Sequence, residues 1–433
     1  MSGRRGRPPR AVSSRFRALR SPNYRLWIGG KLVSDLGTWM QRTAQDWLVL
    51  VDLTHHSGLA VGVTTALQYL PLLLLSAHAG VIADRLPKRR VLAVTQSTMG
   101  LSALAMGLLV VTHTAQLWSV FLCAFMLGLG SAVDNPTRLS LISEIVPRAD
   151  ILSAVGMNST TANLTRLIGP GLTGVVIAVW GTGPAFLANA ASFVAALVAL
   201  ALMDSARMHP SLPLPRRPGQ VREGLTYVRG RPDLLLAFGL TAVVAMFGLN
   251  YQLTNALMAT GTFHRGPAAY GLLGSMIAVG SLTGALTGAR RERPRLTLLI
   301  AATIGFGVIV TLSAFAPSYA LFAALLVPTG FASITFLNSA NGSVQMTTPA
   351  QMRSRVLALY IAVRQGTAPV GAPLVGWMGS AFGARTAVLI GGITALAAGT
   401  AAVLLVRARP ALNQGYLDAI NAQELDSDPR PNG

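Results

Sequence analysis

Apolar runs of roughly twenty residues alternate with short polar gaps along almost the whole of this 433-residue chain. A bilayer core about 30 Å thick is crossed by about 20 such residues in α-helical form. Twelve segments fit that length, at roughly 26 to 52, 58 to 83, 91 to 111, 115 to 136, 151 to 179, 184 to 203, 233 to 256, 268 to 289, 296 to 315, 319 to 342, 354 to 381 and 384 to 406. The predicted fold class is therefore an all-α integral membrane protein. An even number of crossings returns both ends of the chain to one side.

The polar gaps carry the second signal. Of 35 Lys and Arg residues, 29 fall in alternate gaps, two fall in the others (Arg265 and Arg385) and four lie inside apolar segments (Lys31, Arg42, Arg166 and Arg364). The positive-inside rule then predicts a multi-pass protein of the plasma membrane with both termini cytoplasmic. An error of one helix would put the second half out of phase, and the phase holds to the last segment. The longest polar interruption, 204 to 232, is rich in Pro and Arg and cannot lie in hydrocarbon. It predicts a basic cytoplasmic tail at 1–22, a six-helix unit at 23–204, a central loop at 205–232, a second six-helix unit at 233–406 and a disordered cytoplasmic tail at 407–433. Within the loop, VREGLTYV reads either as an amphipathic surface helix or as solvated linker.

The two halves resemble each other. At an offset of 202, Pro147 falls on Pro349, Gly169 on Gly371, Gly174 on Gly376 and Gly181 on Gly383. Transporters are commonly built from such repeats, with the substrate site between them.

Composition removes the competing readings. With 52% hydrophobic and 12% charged residues the chain has too little polar surface for a soluble globule, so its net charge of +20 is topological and implies no nucleic-acid partner. The single Cys123 excludes an intramolecular disulfide and offers no thiol cluster for a metal. No P-loop, HExxH or GxSxG pattern occurs, so neither ATP, a cofactor nor enzymatic chemistry is expected.

Local motifs make the reading specific. GVIADRLPKRR (80 to 90) lies in the turn after the second segment, and it resembles the signature loop of the major facilitator superfamily. The resemblance extends over about 22 to 406 and implies two pseudo-symmetric six-helix bundles rocking about a central cavity, working as a functional monomer. In the family this loop latches the cytoplasmic side. Carried over, Gly80, Asp84, Arg85, Arg89 and Arg90 form the gate motif. Asp84 would then face the start of the eleventh segment near Pro349 to Arg355, and Arg85 or Arg89 would pair with Asp134. NLTRLIGPGLTG (163 to 174) resembles the Gly-Pro motif of the exporting branches, through Gly169, Pro170, Gly171 and Gly174. There Pro170 bends the helix and the glycines admit a close neighbour. One departure is Ala124, where many drug-proton antiporters of the family carry a buried Arg.

Proton coupling must then use other groups. Lys31, Asp35, Arg42 and Asp46 recur on one face of the first segment, either as two neutralising i, i+4 pairs or as a cavity-facing proton site. Asp35, near mid-depth, is the carboxylate expected to carry the proton. Arg166 and Arg364 are the remaining intramembrane cations, one per half. They are open to an anionic substrate, to cross-helix pairing with Asp35 or Asp46, or to backbone carbonyls, with the cross-helix pair expected because it leaves no charge unpaired. Asn158, Asn163, Asn250, Gln252, Asn255, Asn338, Asn341 and Gln365 are candidates to line the pathway. The combined expectation is a proton-coupled exporter of amphipathic small molecules, resembling the drug and siderophore efflux permeases. The alternatives are an importer or facilitator on the same fold, or a membrane sensor or scaffold without transport.

Overall fold

The computed structural model describes residues 14–208, 220–288, 295–410, 414–417 and 420. Its helices are α1 (Pro22–Trp47), α2 (Gly58–Arg85), α3 (Lys88–Val111), α4 (Leu117–Ile145), α5 (Ile151–Trp180), α6 (Gly183–Ala201), α7 (Gln220–Arg229), α8 (Pro232–Val243), α9 (Tyr251–Leu257), α10 (Pro267–Gly288), α11 (Leu296–Ala314), α12 (Tyr319–Met346), α13 (Ala350–Gly366), α14 (Ala368–Phe382) and α15 (Ala384–Ala408). Among the described residues, ten stretches are long and apolar enough to cross a membrane by length and composition. The expected twelve would be reached with α1, which carries Lys31, Asp35, Arg42 and Asp46, and with the interrupted pair α13 and α14.

Two crossings of the second half are discontinuous, a feature the apolar windows do not predict. One runs α8, a π turn at Val244–Gly248, the non-helical Leu249 and Asn250, α9 and a second π turn at Met258–Thr262. It therefore extends beyond the expected end at 256. The other breaks at Thr367 between α13 and α14. Such breaks are tolerated at membrane depth only where they are buried in protein or line a cavity.

Each half is held by glycine-mediated contacts. A Cβ added at Gly128 of α4 would stand 2.3 Å from the Gln68 carbonyl oxygen of α2, and one at Gly330 of α12 would stand 2.1 Å from the Ile277 carbonyl oxygen of α10. Without a hydrophobic force between helices in lipid, this close backbone approach supplies the dispersion contact that holds them. The repeat read from the sequence is visible here. Pro147 and Pro349 both precede a helix in extended backbone (ψ 150°), and Gly181 and Gly383 both end one at positive φ, 81° and 94°. Gly174 packs α5 on α10, and its counterpart Gly376 packs α14 on α2.

Those last two contacts join the halves. They lie at the end of the bundle remote from Ser14–Arg20, called here the far face. The face that carries Ser14–Arg20 and Tyr416 is called the basic face. On the basic face α7 is a helix docked on α13, with Glu223 paired to Arg355, so the central loop takes the helical alternative there. The tails are structured where they are described. Ser14–Arg20 is a 3-10 helix that buries Ala18, Arg17 reaches Asp150 at 3.5 Å, and buried Tyr416 hydrogen-bonds Ser343 at 2.9 Å. Nearby, Arg231 bonds Asp233 at 2.7 Å, and that carboxylate pushes its guanidinium pKa upward.

Candidate functional site

Helix α1 organises the site. Ser21 accepts the Tyr24 N–H as N-cap and Pro22 occupies the first turn, so a strong start offsets the polar residues that follow. Its charged face then meets three different environments along its length.

Nearest the basic face, Asp35 joins a cluster within the first half. It is paired with Lys31 one turn earlier and accepts from Arg138 of α4 at 3.1 Å. Arg138 is also paired with Asp134, whose carboxylate accepts the Thr95 hydroxyl at 3.0 Å, and its guanidinium stands 5.8 Å from the Trp27 ring centroid. Two carboxylates face two cations, so the cluster is neutral and ties α1, α3 and α4 together. Arg138 was counted among the loop cations in the sequence; the i, i+4 spacing to Asp134 is the signal that marks it.

The gate motif divides. Gly80 and Asp84 lie on α2, but their side chains fall outside the described residues, as does any contact of Asp84 with the start of α13. Arg85 and Arg90 are exposed. Arg89 does not meet Asp134. It bonds the Ser205 hydroxyl and donates to the Leu200 carbonyl at 2.9 Å, capping the C-terminal end of α6, while Asp134 is taken by Arg138 one helical turn away.

At mid-depth lies a cavity of about 270 Å³ between the halves. Both broken crossings open onto it, through Leu249 to Gln252 and through Arg364, Gln365 and Ala368. Of the polar candidates, Asn250, Gln252, Asn255 and Gln365 line it, whereas Asn158, Asn163, Asn338 and Asn341 do not. Arg166 and Arg364 both face it, one from each half. The expected pairing of these two with Asp35 or Asp46 is not formed: among the described residues neither has an ion-pair partner, because Lys31 and Arg138 occupy Asp35 and because Asp46 lies at the far-face seam. The Arg166 guanidinium sits 5.3 Å from the Trp39 ring centroid, and Arg42 covers the same ring at 5.6 Å. Trp39 drew no attention in the sequence, although its place three residues before Arg42 puts it on the charged face.

Above the cavity the halves close on each other at the far face. Asp46, 5% exposed, accepts a hydrogen bond from the Tyr270 hydroxyl of α10 at 3.3 Å, and Tyr270 stacks on Trp47 with ring centroids 6.0 Å apart. Arg42 stands one turn before Asp46 on the same face of α1. Ser275 of α10 donates to the Leu167 carbonyl at 2.9 Å, one turn before Pro170. The Gly-Pro motif belongs to this seam. Gly169 admits Trp39, Gly171 admits Ser275, and Gly174 meets the Pro267 carbonyl, where a Cβ would stand at 2.6 Å. On the other flank Ser380 of α14 accepts the Gly58 N–H at 2.7 Å, capping α2 from the opposite half.

Comparisons with known proteins agree with this architecture. The family model described as "Transmembrane secretion effector" matches residues 13–430. The multidrug efflux pump Tap of Mycolicibacterium fortuitum is 27% identical over 87% of this chain and 94% of its own. The enterobactin exporter EntS of Citrobacter koseri is 25% identical over 77% and 80%. The staphyloferrin A transporter of Staphylococcus aureus is 34% identical over 39% of this chain, and the match spans 42% of that relative. Among solved structures, a bacterial homologue of the lysosomal transporter Spinster, in an inward-facing conformation, has a TM-score of 0.69 with 14% identity, covering 92% of this chain and 98% of that one. A D-xylose-proton symporter has a TM-score of 0.69 with 16% identity over 89% and 97%. These two likenesses concern the fold. With the family model spanning almost the whole sequence, the chain belongs to the transmembrane secretion effector family of the major facilitator superfamily and is a multi-pass membrane transporter, not an enzyme.

Proposed function

We propose that the protein is a proton-coupled exporter of amphipathic small molecules that works by alternating access, as a monomer, with its basic face and both termini in the cytoplasm. The charge bias of the gaps supports that orientation, and the relatives named as an efflux pump and as an exporter support the direction. The two units at 23–204 and 233–406 would rock about the cavity. With the far-face seam closed, the state described here faces the cytoplasm.

The observation that carries proton coupling is Asp46. It is a buried carboxylate whose hydrogen bond spans the two halves at the seam that must open for release. An intramembrane charge is costly unless paired or hydrated, so adding a proton to Asp46 removes a charge where the seam closes. Asp35, the expected carrier, sits between two cations within a single half. Its geometry fits the structural pairing better. Arg42 then acts as the cation that senses the Asp46 charge.

The test is proton release from energised inside-out vesicles challenged with a panel of amphipathic anions, zwitterions and cations. Substrate-triggered release should occur with wild type and Asp35→Asn, and be lost with Asp46→Asn. Release that survives Asp46→Asn and disappears with Asp35→Asn would return the role to Asp35. Transport by wild type without any proton movement would refute antiport.

A further inference from the structure

The central cavity holds cations that its own walls do not balance. No Asp or Glu is among its described lining residues, while Arg166 and Arg364 both are. The nearby carboxylates are committed elsewhere: Asp35 and Asp134 to Lys31 and Arg138, and Asp46 to the seam. Arg166 and Arg364 line the same cavity, and Arg42 shares the Trp39 ring with Arg166, so like charges are gathered there. A cation over an indole face gains about 0.5–2 kcal/mol, which falls short of what removing an ion from water costs in real proteins, several kcal/mol. Trp39 therefore does not compensate Arg166. A charge-assisted hydrogen bond from a bound oxyanion would.

We infer that the cavity takes an amphipathic organic anion, held between Arg166 of the first half and Arg364 of the second, with Trp39 and Tyr69 offering aromatic surface to its apolar body. This rests on the export reading and names the substrate class for the same site. The arrangement also links binding to movement. Without an anion, mutual repulsion opposes any motion that brings the Arg166 and Arg364 sides together. A bound anion converts that repulsion into a bridge between the rocking units.

The probes share one aromatic frame: naphthalene-2,6-dicarboxylate, 2-naphthoate, the neutral dimethyl naphthalene-2,6-dicarboxylate, and 2-(trimethylammoniomethyl)naphthalene. Binding to the full-length protein in nanodiscs of zwitterionic lipid is followed by calorimetry and by melting temperature. The carboxylates should bind and raise the melting temperature, and the ester and the ammonium compound should not. Arg166→Gln and Arg364→Gln should each weaken carboxylate binding by roughly 10- to 100-fold, with Arg→Lys at either position retaining part of it. A second measurement needs no correct guess of the organic frame. In the absence of any oxyanion, each Gln variant should melt no lower than wild type, and sulfate or phosphate should stabilise wild type more than the variants at equal ionic strength.

The inference is overturned if the ammonium or ester probe binds as well as the carboxylates. It is also overturned if the Gln variants melt lower than wild type and no anion, organic or inorganic, stabilises wild type preferentially, since both arginines would then be structural. The proton-release assay reads a different property. Anion binding without proton movement would remove antiport and leave the substrate class standing, and proton-coupled flux of cations alone would do the reverse.

Discussion

Closure of the far-face seam depends on the absence of side chains at a few positions, which makes it sensitive to a single methyl group. A Cβ placed on Gly62 of α2 would stand 2.4 Å from the Ala372 carbonyl oxygen and 2.7 Å from Pro373 Cα of α14. Ordinary contact begins near 3.4 Å, and both neighbours are backbone atoms that have no rotamer to adopt. Gly62→Ala must therefore push α2 and α14 apart, at the cost typical of an overpacked site, about 1–3 kcal/mol. That cost is felt only in the state with the far face closed. It shifts the balance toward the far-face-open state by roughly 5- to 150-fold, since about 1.4 kcal/mol is a factor of ten. Gly29→Ala is the control, because nothing lies within 4 Å of a Cβ at that position. Both substitutions gain the same helix propensity, about 0.5–1 kcal/mol, so the difference between them isolates the seam. Spin labels at Thr114→Cys and Ala381→Cys, in a Cys123→Ser background, report the separation of the halves at the far face by pulsed electron resonance. The Gly62→Ala distribution should move to longer distances. If it matches the Gly29→Ala control while the protein remains folded, the seam is not what holds the far face shut.

The same geometry gives three further expectations. Arg138→Gln strips the shared cation from Asp35 and Asp134 and should cost about 3–5 kcal/mol of stability, as breaking a buried pair does; a thermal melt within a degree or two of wild type would contradict the cluster's role. Gly181→Ala and Gly383→Ala force Cβ atoms into left-handed backbone at φ 81° and 94°, and each should destabilise by roughly 1–2 kcal/mol, read by denaturant titration in detergent. Tyr270→Phe keeps the ring on Trp47 but removes the donor to Asp46; substrate-driven proton release should fall while probe binding in the cavity persists, and unchanged release would show that the hydroxyl is not part of the coupling.

How much of this was legible in the sequence follows from which information is local. The crossings were readable because length and apolarity are properties of each segment alone, and the half-repeat was readable because Pro147, Pro349, Gly181 and Gly383 fix backbone geometry wherever they stand. The breaks at Asn250 and Thr367 were not, although Asn250, Gln252, Arg364 and Gln365 stand beside them, because polar residues in a span mark a cavity or a helix contact as readily as a break, and a break is sustained by the cavity beside it. Charge pairing failed in a related way. Asp35 and Asp46 look equivalent on α1, each four residues after a cation. What separates them is the partner brought from another helix, Arg138 to one and Tyr270 to the other. Arg138 itself lies at the edge of a basic gap, where composition reads it as topology, and only the packing of α1 on α4 turns it inward.

The seam and the cavity meet at Trp39. Arg42, one turn before Asp46 on α1, lies 5.6 Å from its ring centroid, and Arg166, which faces the cavity, lies 5.3 Å from it. On the proposed function, a proton on Asp46 leaves Arg42 without its counter-charge, and the excess positive charge at mid-depth rises by one. An anion in the cavity lowers it again. Proton and anion thus act on one electrostatic balance around a single indole. That gives coupling a physical route that needs no contact between the two sites: protonation of the seam carboxylate strengthens the cavity's hold on an anion, and its loss weakens that hold. By reciprocity of linked equilibria, the anion must favour the protonated seam to the same degree. Linkage of this sign favours carrying proton and anion together, so antiport requires that the doubly loaded protein does not reorient, and anion-driven proton uptake in place of release in the vesicle assay would identify symport. Trp39→Leu, which removes the shared ring but neither charge, should loosen both arginines and weaken the mutual dependence of the two equilibria while leaving each individually measurable.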